Sequence, residues 1–215
     1  MMLRAVILDM DGVIVDTMDL HYSAAEEVLN EAGASVTKEG LKKFDTTRSL
    51  DAFRKILKGK SEAEVSGLVD RKYARLFERT RGIKPIRGFP EFFSKVAGKY
   101  PVAVVSSSTA GFVKHILKEL GILGKFSTVI GAEDVKSGKP DPEGYLKAAK
   151  ALKANPADCL VVEDSIYGVM AAKRAGMKVI AVTNTYERNF LLDADLAVDS
   201  LAELDVKNLE ALFRA

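Results

Sequence analysis

A chain of 215 residues, 47% hydrophobic and 29% charged, can build one sizeable core, and a formal net charge of +2 gives it no global bias toward nucleic acid or membrane. Its single cysteine, Cys159, excludes a disulfide framework and any metal site built on several thiolates. No apolar stretch is long enough to span a bilayer, and the first one is broken by Asp9 and Asp11, so no secretory leader is read there and a cytoplasmic protein is expected.

The first predicted strand is RAVILD, an apolar run closed by Asp9 and then by Asp11 and Gly12. Two acids this close, against a hydrophobic strand, repel each other and resist burial. They have an ordinary reading as turn and capping residues, and a DxD metal-nucleotide site is another. A calcium loop would need an acid or amide where Val13 stands. A divalent cation shared between the carboxylates and a phosphate answers the difficulty directly, because its charge offsets the repulsion that would otherwise lift one carboxylate pKa.

From Thr17 to Pro85 no strand is predicted. DLHYSAAEEVLNEAG sets Leu20, Ala24, Val28, Leu29 and Ala32 on one helical face and stops at Gly33; LDAFRKILKG and EAEVSGLVDRKYARLFERTRG read as two further helices. Between Arg54 and Arg87 stand eleven Lys and Arg against four Asp and Glu, either a solvated helical face or an attraction for an anionic substrate. The block 17–85 is expected to be a small helical domain over the sheet edge. Residues 1–16 and 86–215 would form the core.

Beyond it the runs PVAVVSSS, FSTVIGAED, CLVVEDS and KVIAVTNT are nearly continuously apolar, as strands covered on both faces are. Helical patterns alternate with them: TAGFVKHILKELG, DPEGYLKAAKALK and SIYGVMAAKRAG. Gly121 and Gly176 stand where stops belong, and Pro142 stands where a first-turn proline does. This alternation predicts an α/β fold with a doubly wound parallel sheet. Cys159, inside ADCLVVED, reads as a small buried hydrophobe. Glutamine is absent while Lys, Arg and Glu abound, a thermophile-like composition.

In such sheets ligands bind at the carboxyl ends of the strands. There this chain places Ser106 and Ser107 before a helix, Lys139 in SGKPDP, and Glu163 and Asp164 in VVEDS. Taken singly, the serines suit N-caps, the acids a cap and the lysine a surface position. Four such endings, each near its own apolar strand, point to one site for an anion and a cation.

In chain order, DMDGV, VVSSS, GKPDP and VVEDS resemble the four motifs of the haloacid dehalogenase superfamily. The helical insertion after the first motif is similar to that of members with a small helical cap, such as phosphoglycolate phosphatase and beta-phosphoglucomutase. The resemblance implies a Mg²⁺-dependent phosphatase acting on a small phosphorylated metabolite. Asp9 would be the nucleophile that becomes an aspartyl-phosphate, and Asp11 the acid and base for leaving oxygen and water. Ser106, the Ser107 amide and Lys139 would bind the phosphoryl oxygens. Mg²⁺ would be held by Asp9, the Asp11 carbonyl and Asp164, with Glu163 joining directly or through water. Asp11 also argues against a halide substrate, since halide leaves without a proton and the family's dehalogenases lack this acid.

The same resemblance places hinges near Val15–Thr17 and Pro85–Gly88 and brings His21, Arg48 and Lys72 of the cap toward the site. The glycine usual in the mutase's arginine-bearing loop is missing from FDTTRS, and Asp45 falls near that place. His115 is assigned no role. A phosphomutase of the beta-phosphoglucomutase type is the alternative. A receiver-like phospho-accepting signalling domain is a remote one, because there the phosphorylated Asp lies on a later strand and no helical block is inserted. A monomer is expected.

Overall fold

The computed structural model describes residues 1–214. Its sheet contains β1 (Ala5–Leu8), β2 (Val102–Val105), β3 (Thr128–Ile130), β4 (Cys159–Glu163), β5 (Lys178–Val182) and β6 (Leu196–Val198), ordered β3-β2-β1-β4-β5-β6. Every neighbouring pair is parallel. Helices α1 (Met18–Glu31), α2 (Lys38–Leu41), α3 (Ser49–Ile56) and α4 (Glu62–Arg79) follow β1, and α5 (Phe89–Ala97) leads into β2. The others are α6 (Ala110–Glu119), α7 (Glu143–Ala151), α8 (Ile166–Arg174) and α9 (Val206–Ala211). This is the doubly wound α/β architecture that the alternation predicts.

The strands are continuously apolar because both faces are covered. Val6, Leu8, Val104, Leu160 and Val162 pack in one hydrophobic layer, with Phe92, Phe112 and Ile116 from α5 and α6. Their neighbours Ala5, Ile7, Ala103, Val105 and Val161 pack in the other, against Tyr145, Ala148 and Val169 from α7 and α8. Cys159 is fully buried in the second layer, as expected of a small hydrophobe.

Register decides where the site lies. Leu8 is level with Val104 of β2 on one side and Val162 of β4 on the other. Asp9, Ser106 and the pair Glu163–Asp164 therefore emerge together at one edge of the sheet. Strand order reverses at β1, so the crossovers depart in opposite directions and leave a crevice above these residues.

The segment 18–79 contains no strand. Helices α1 and α4 pack on each other through Val28, Leu29, Val69 and Leu76, all buried. Each such side chain contributes about 1.5–3 kcal/mol relative to exposure. The chain leaves the core and returns to it side by side, with the Ile86 amide donating to the Ile14 carbonyl at 2.8 Å. The basic surplus of this segment lies largely on its outer face. Arg71, Arg75 and Arg79 pair with Glu27 and Glu31 of α1, and Arg54 pairs with Asp51 and Glu62. The solvated-face reading holds for these arginines.

Four elements escaped the sequence reading, the first of them the single turn α2. β6 is a three-residue edge strand, too short for a period to show. α5 opens on Gly88-Phe89-Pro90, which reads as a turn although Phe89, Phe92, Phe93 and Val96 form a buried face. α9 is a six-residue helix near the chain end. Among the described residues no helix is long and apolar enough to cross a membrane.

Candidate active site

The turn after β1 carries Asp9 and Asp11. It closes with the Gly12 amide donating to the Val15 carbonyl at 2.8 Å, while Asn184 Nδ2 donates to the Gly12 carbonyl at 2.7 Å. Gly12 has φ +76°, and a Cβ there would fall 1.8 Å from Asp164 Oδ2. Only glycine permits both that backbone and that approach.

Asp9 is buried, lines the crevice and accepts from Lys139 Nζ at 2.5 Å through Oδ1. Burial lifts its pKa to about 7 against the pull of Lys139, with Glu163 and Asp11 adding to the rise. Asp11 accepts from the Thr17 amide at 3.2 Å and from the Thr17 hydroxyl. Burial raises it to about 6, partly offset by those bonds. Asp164 accepts from the Thr185 hydroxyl and is held well above the usual carboxylate range by burial and by Glu163 and Asp9.

Glu163 differs from its neighbours. Its Oε2 accepts from the Asp164 amide (2.9 Å), the Ser165 amide (3.0 Å) and the Ser165 hydroxyl (2.8 Å). Its Oε1 accepts from the Tyr145 hydroxyl (2.7 Å) and from Lys139. Burial alone would raise its pKa, but Lys139 and these donors outweigh it and hold the group below the usual range. α8 passes so close that a Cβ at Gly168 would lie 1.8 Å from Glu163 Oε1. Both oxygens are thus hydrogen-bonded, and one of these bonds orients Lys139.

Carboxylate oxygens of Asp9, Glu163 and Asp164 lie within 4.8 Å of one another. Among the described residues Lys139 pairs with Asp9 and Glu163 only, and Asp9 and Asp164 are pushed up in pKa by burial first and by the neighbouring acids second. An all-oxygen donor set short of a cation fits a hard divalent ion.

Ser106 follows β2 and its Oγ accepts from the Ser108 amide at 3.1 Å; the Ser107 hydroxyl donates to the Thr46 carbonyl at 3.1 Å. The helix after them supplies less than the sequence suggests. α6 starts only at Ala110, whose amide is taken by Glu133 at 3.0 Å, while Tyr73 takes the Thr109 amide at 3.2 Å. Any amide contribution to an anion falls to Ser107 itself.

Over this floor the segment 18–57 and α4 form a roof, and together they enclose a cavity. His21 and Lys72 both line it. Lys72 Nζ lies 2.8 Å from His21 Nδ1 and donates to Ser49 Oγ at 2.7 Å, and His21 Nε2 is 3.5 Å from Ser108 Oγ. Burial lowers His21 well below its ordinary value, so the ring is neutral and its Nδ1 accepts from the lysine. Burial also lowers Lys72 to about 7, against the pull of Asp11.

Lys72 supplies a test independent of catalysis. Unfolded, it keeps its proton to about pH 10.5, whereas folded it loses it near 7. Between those values the unfolded chain binds more protons, so this group makes the protein more stable as pH rises. Lys72→Met is expected to have a higher urea midpoint than wild type at pH 7. The gap should narrow toward pH 10; a constant gap would show that the lysine is not held neutral.

Arg48 lines not the cavity that holds Lys72 but a smaller one beside it, with Ser106, Ser107 and Lys139. Its guanidinium donates to the carbonyls of Ala132 (3.3 Å), Val135 (2.8 Å) and Lys136 (3.0 Å) and pairs with Asp51 at 2.6 Å. It clasps the roof to the loop after β3, because three unsatisfied carbonyls converge there and a planar fork satisfies them together. His115 contacts the Thr80 hydroxyl at 3.1 Å, away from the cavity. Sequence reading gave no role to Tyr145, Ser108, Ser165 and Thr185, nor to Tyr22, Asp45 and Tyr186 in the cavity wall. Only Ser108 and Ser165, inside VVSSS and VVEDS, and Asp45, beside the Arg48 loop, carried a signal.

The chain matches the haloacid dehalogenase-like hydrolase family over residues 6–182. It is 30% identical to hexitol phosphatase B of Escherichia coli, across 95% of this chain and 96% of that protein. Beta-phosphoglucomutase of Bacillus subtilis is 28% identical across 96% and 94% of the two chains. The crystal structure of beta-phosphoglucomutase from Clostridium difficile superposes with a TM-score of 0.89 at 26% identity, covering 99% of this chain and 97% of that one.

Proposed function

The chain belongs to the haloacid dehalogenase-like hydrolase family and is a phosphoric monoester hydrolase of that family, and on that premise we propose that it is a Mg²⁺-dependent phosphatase working through an aspartyl-phosphate at Asp9. The observation that carries this reading is the floor of the crevice, where a buried aspartate, bound to Lys139 through one oxygen, lines the cavity together with Asp11 and Ser106.

Asp9 attacks phosphorus and the ester P–O bond breaks, while Asp11, protonated through its raised pKa, gives its proton to the departing alkoxide. In the second half Asp11 takes a proton from water, whose oxygen attacks the aspartyl-phosphate and regenerates Asp9 with inorganic phosphate. Ser106 Oγ, the Ser107 amide and Lys139 Nζ hold the phosphoryl oxygens and neutralise their charge. Asp9, Asp164 and the Asp11 carbonyl would hold Mg²⁺, which supplies further charge neutralisation. The helical block acts as a cap that keeps bulk water from the phosphoryl group.

Hydrolysis is favoured over mutase chemistry by the charge of the roof. A mutase passes through a bisphosphate and needs a second anion site facing Asp9. Of the two roof cations expected there, Arg48 is spent on carbonyls, and Lys72 is only partly charged at neutral pH and lies toward Asp11. The test is a Mg²⁺ assay on small phosphomonoesters recording inorganic phosphate and isomerised sugar phosphate together. Phosphate release that stops on chelation is expected. Isomer without phosphate would make the protein a mutase.

A further inference from the structure

One acid in the cavity wall has no part in this chemistry. Asp45, in the segment between α2 and α3, lines the cavity on the roof side. The Tyr22 hydroxyl, from α1, donates to its Oδ1, and Tyr186, in the loop after β5, lines the same cavity from the core. Among the described residues Asp45 makes no ion pair; the nearby Lys42 is engaged with Glu39 at 2.8 Å on the solvent side. A half-buried carboxylate held by one phenol and no cation is a negative charge that is expensive to place unless something uses it.

Its position gives it a use. The phosphoryl end is fixed by Asp9, Ser106 and Lys139, so the leaving alcohol must lie toward the roof, where Asp45 is the acid. The cations of the cavity do not cancel it: Lys139 is bound to Asp9 and Glu163, and Lys72 to His21 and Ser49. Around Asp45 the wall offers the hydroxyls of Thr46 and Thr47 and those of the two tyrosines.

We infer that Asp45 is a specificity-determining residue, selecting phosphomonoesters whose leaving alcohol is uncharged and rich in hydroxyl donors and rejecting those that carry a carboxylate or second phosphate at that end. A polyol hydroxyl donates to the carboxylate and accepts from the surrounding hydroxyls, whereas an anion meets repulsion in a site of low dielectric. The inference rests on the phosphatase reading and names its substrate class.

The test uses the full-length protein with Mg²⁺ and a pair of esters that differ only at the far end, a hexitol 6-phosphate (terminal CH₂OH) and 6-phosphogluconate (terminal carboxylate). p-Nitrophenyl phosphate serves as a general substrate. Wild type should favour the hexitol ester in kcat/KM, and Asp45→Asn should shrink that preference at least about tenfold (about 1.4 kcal/mol), while Asp45→Glu retains it. A wild type that hydrolyses the acid as well as the polyol overturns the inference while the phosphatase reading stands; so does a preference that Asp45→Asn leaves unmoved. Should Asp45→Asn fail to fold, Asp45→Ser makes the same comparison. No turnover of any ester, p-nitrophenyl phosphate included, removes both readings.

Discussion

Asp9→Asn is expected to lower kcat by at least about four orders of magnitude, with little change in the denaturant midpoint of the metal-free protein. The amide cannot form the acyl phosphate, so no amount of binding by Ser106 or Lys139 compensates. Stability should survive because Asn Oδ1 still accepts from Lys139 Nζ, as Asp9 Oδ1 does at 2.5 Å. The substitution also removes one of three crowded acids, one whose pKa is already pushed to about 7 by burial. Steady-state kinetics and urea unfolding of the same preparation check both halves. Near-normal turnover in a folded variant would sink the covalent mechanism.

Lys139→Met should do the opposite to stability. Lys139 forms buried pairs with Asp9 and Glu163, and its side chain is only 8% exposed. Removing the one shared cation leaves carboxylates buried and uncompensated, a loss of about 3–5 kcal/mol in comparable cases. The loss should depend on pH in a definite direction. In the wild type Glu163 has its pKa held below the model-peptide value of 4.5, so it adds stability above that pH and forfeits it as pH falls. Without Lys139 the buried acids are raised instead, and their cost grows as pH climbs past 4.5. Variant and wild type should therefore converge in acid and diverge toward neutrality. Activity should fall at least about 10³-fold, since a charge facing the phosphoryl group in the transition state is gone. A variant as stable as wild type at pH 7 would mean that Lys139 does not hold these acids together.

Much of the floor was legible in the sequence. Each of its residues follows an apolar run at a strand end or sits in the loop that precedes a helix, and in parallel sheets such ends are where ligands gather. The reading also placed five of the six strands and the helical block between Thr17 and Pro85. β6 escaped it because three residues carry too little pattern, and α5 because its proline and glycine imitate a turn.

The roof was harder to read. Arg48 lies beside Ser106, Ser107 and Lys139, but its guanidinium donates to the carbonyls of Ala132, Val135 and Lys136, more than eighty positions away in sequence. Nothing local to Arg48 records where those carbonyls lie. Tyr145 is one of several apolar residues on α7 until the fold sets its hydroxyl 2.7 Å from Glu163. The α6 N-terminus looked available to an anion until Glu133 proved to occupy it.

By itself, then, the sequence determined the sheet, the inserted helices and the acids, serines and lysine at its carboxyl edge, because strand period and strand-end chemistry are local properties written every few residues. The tertiary structure alone decided which of those groups have oxygens to spare, that Glu163 pairs with Lys139, that Arg48 donates to three carbonyls after β3, and that Asp45 lines the cavity. Those outcomes depend on which long-range partners reach each polar atom first, and hydrogen-bonding capacity used by one partner is lost to another.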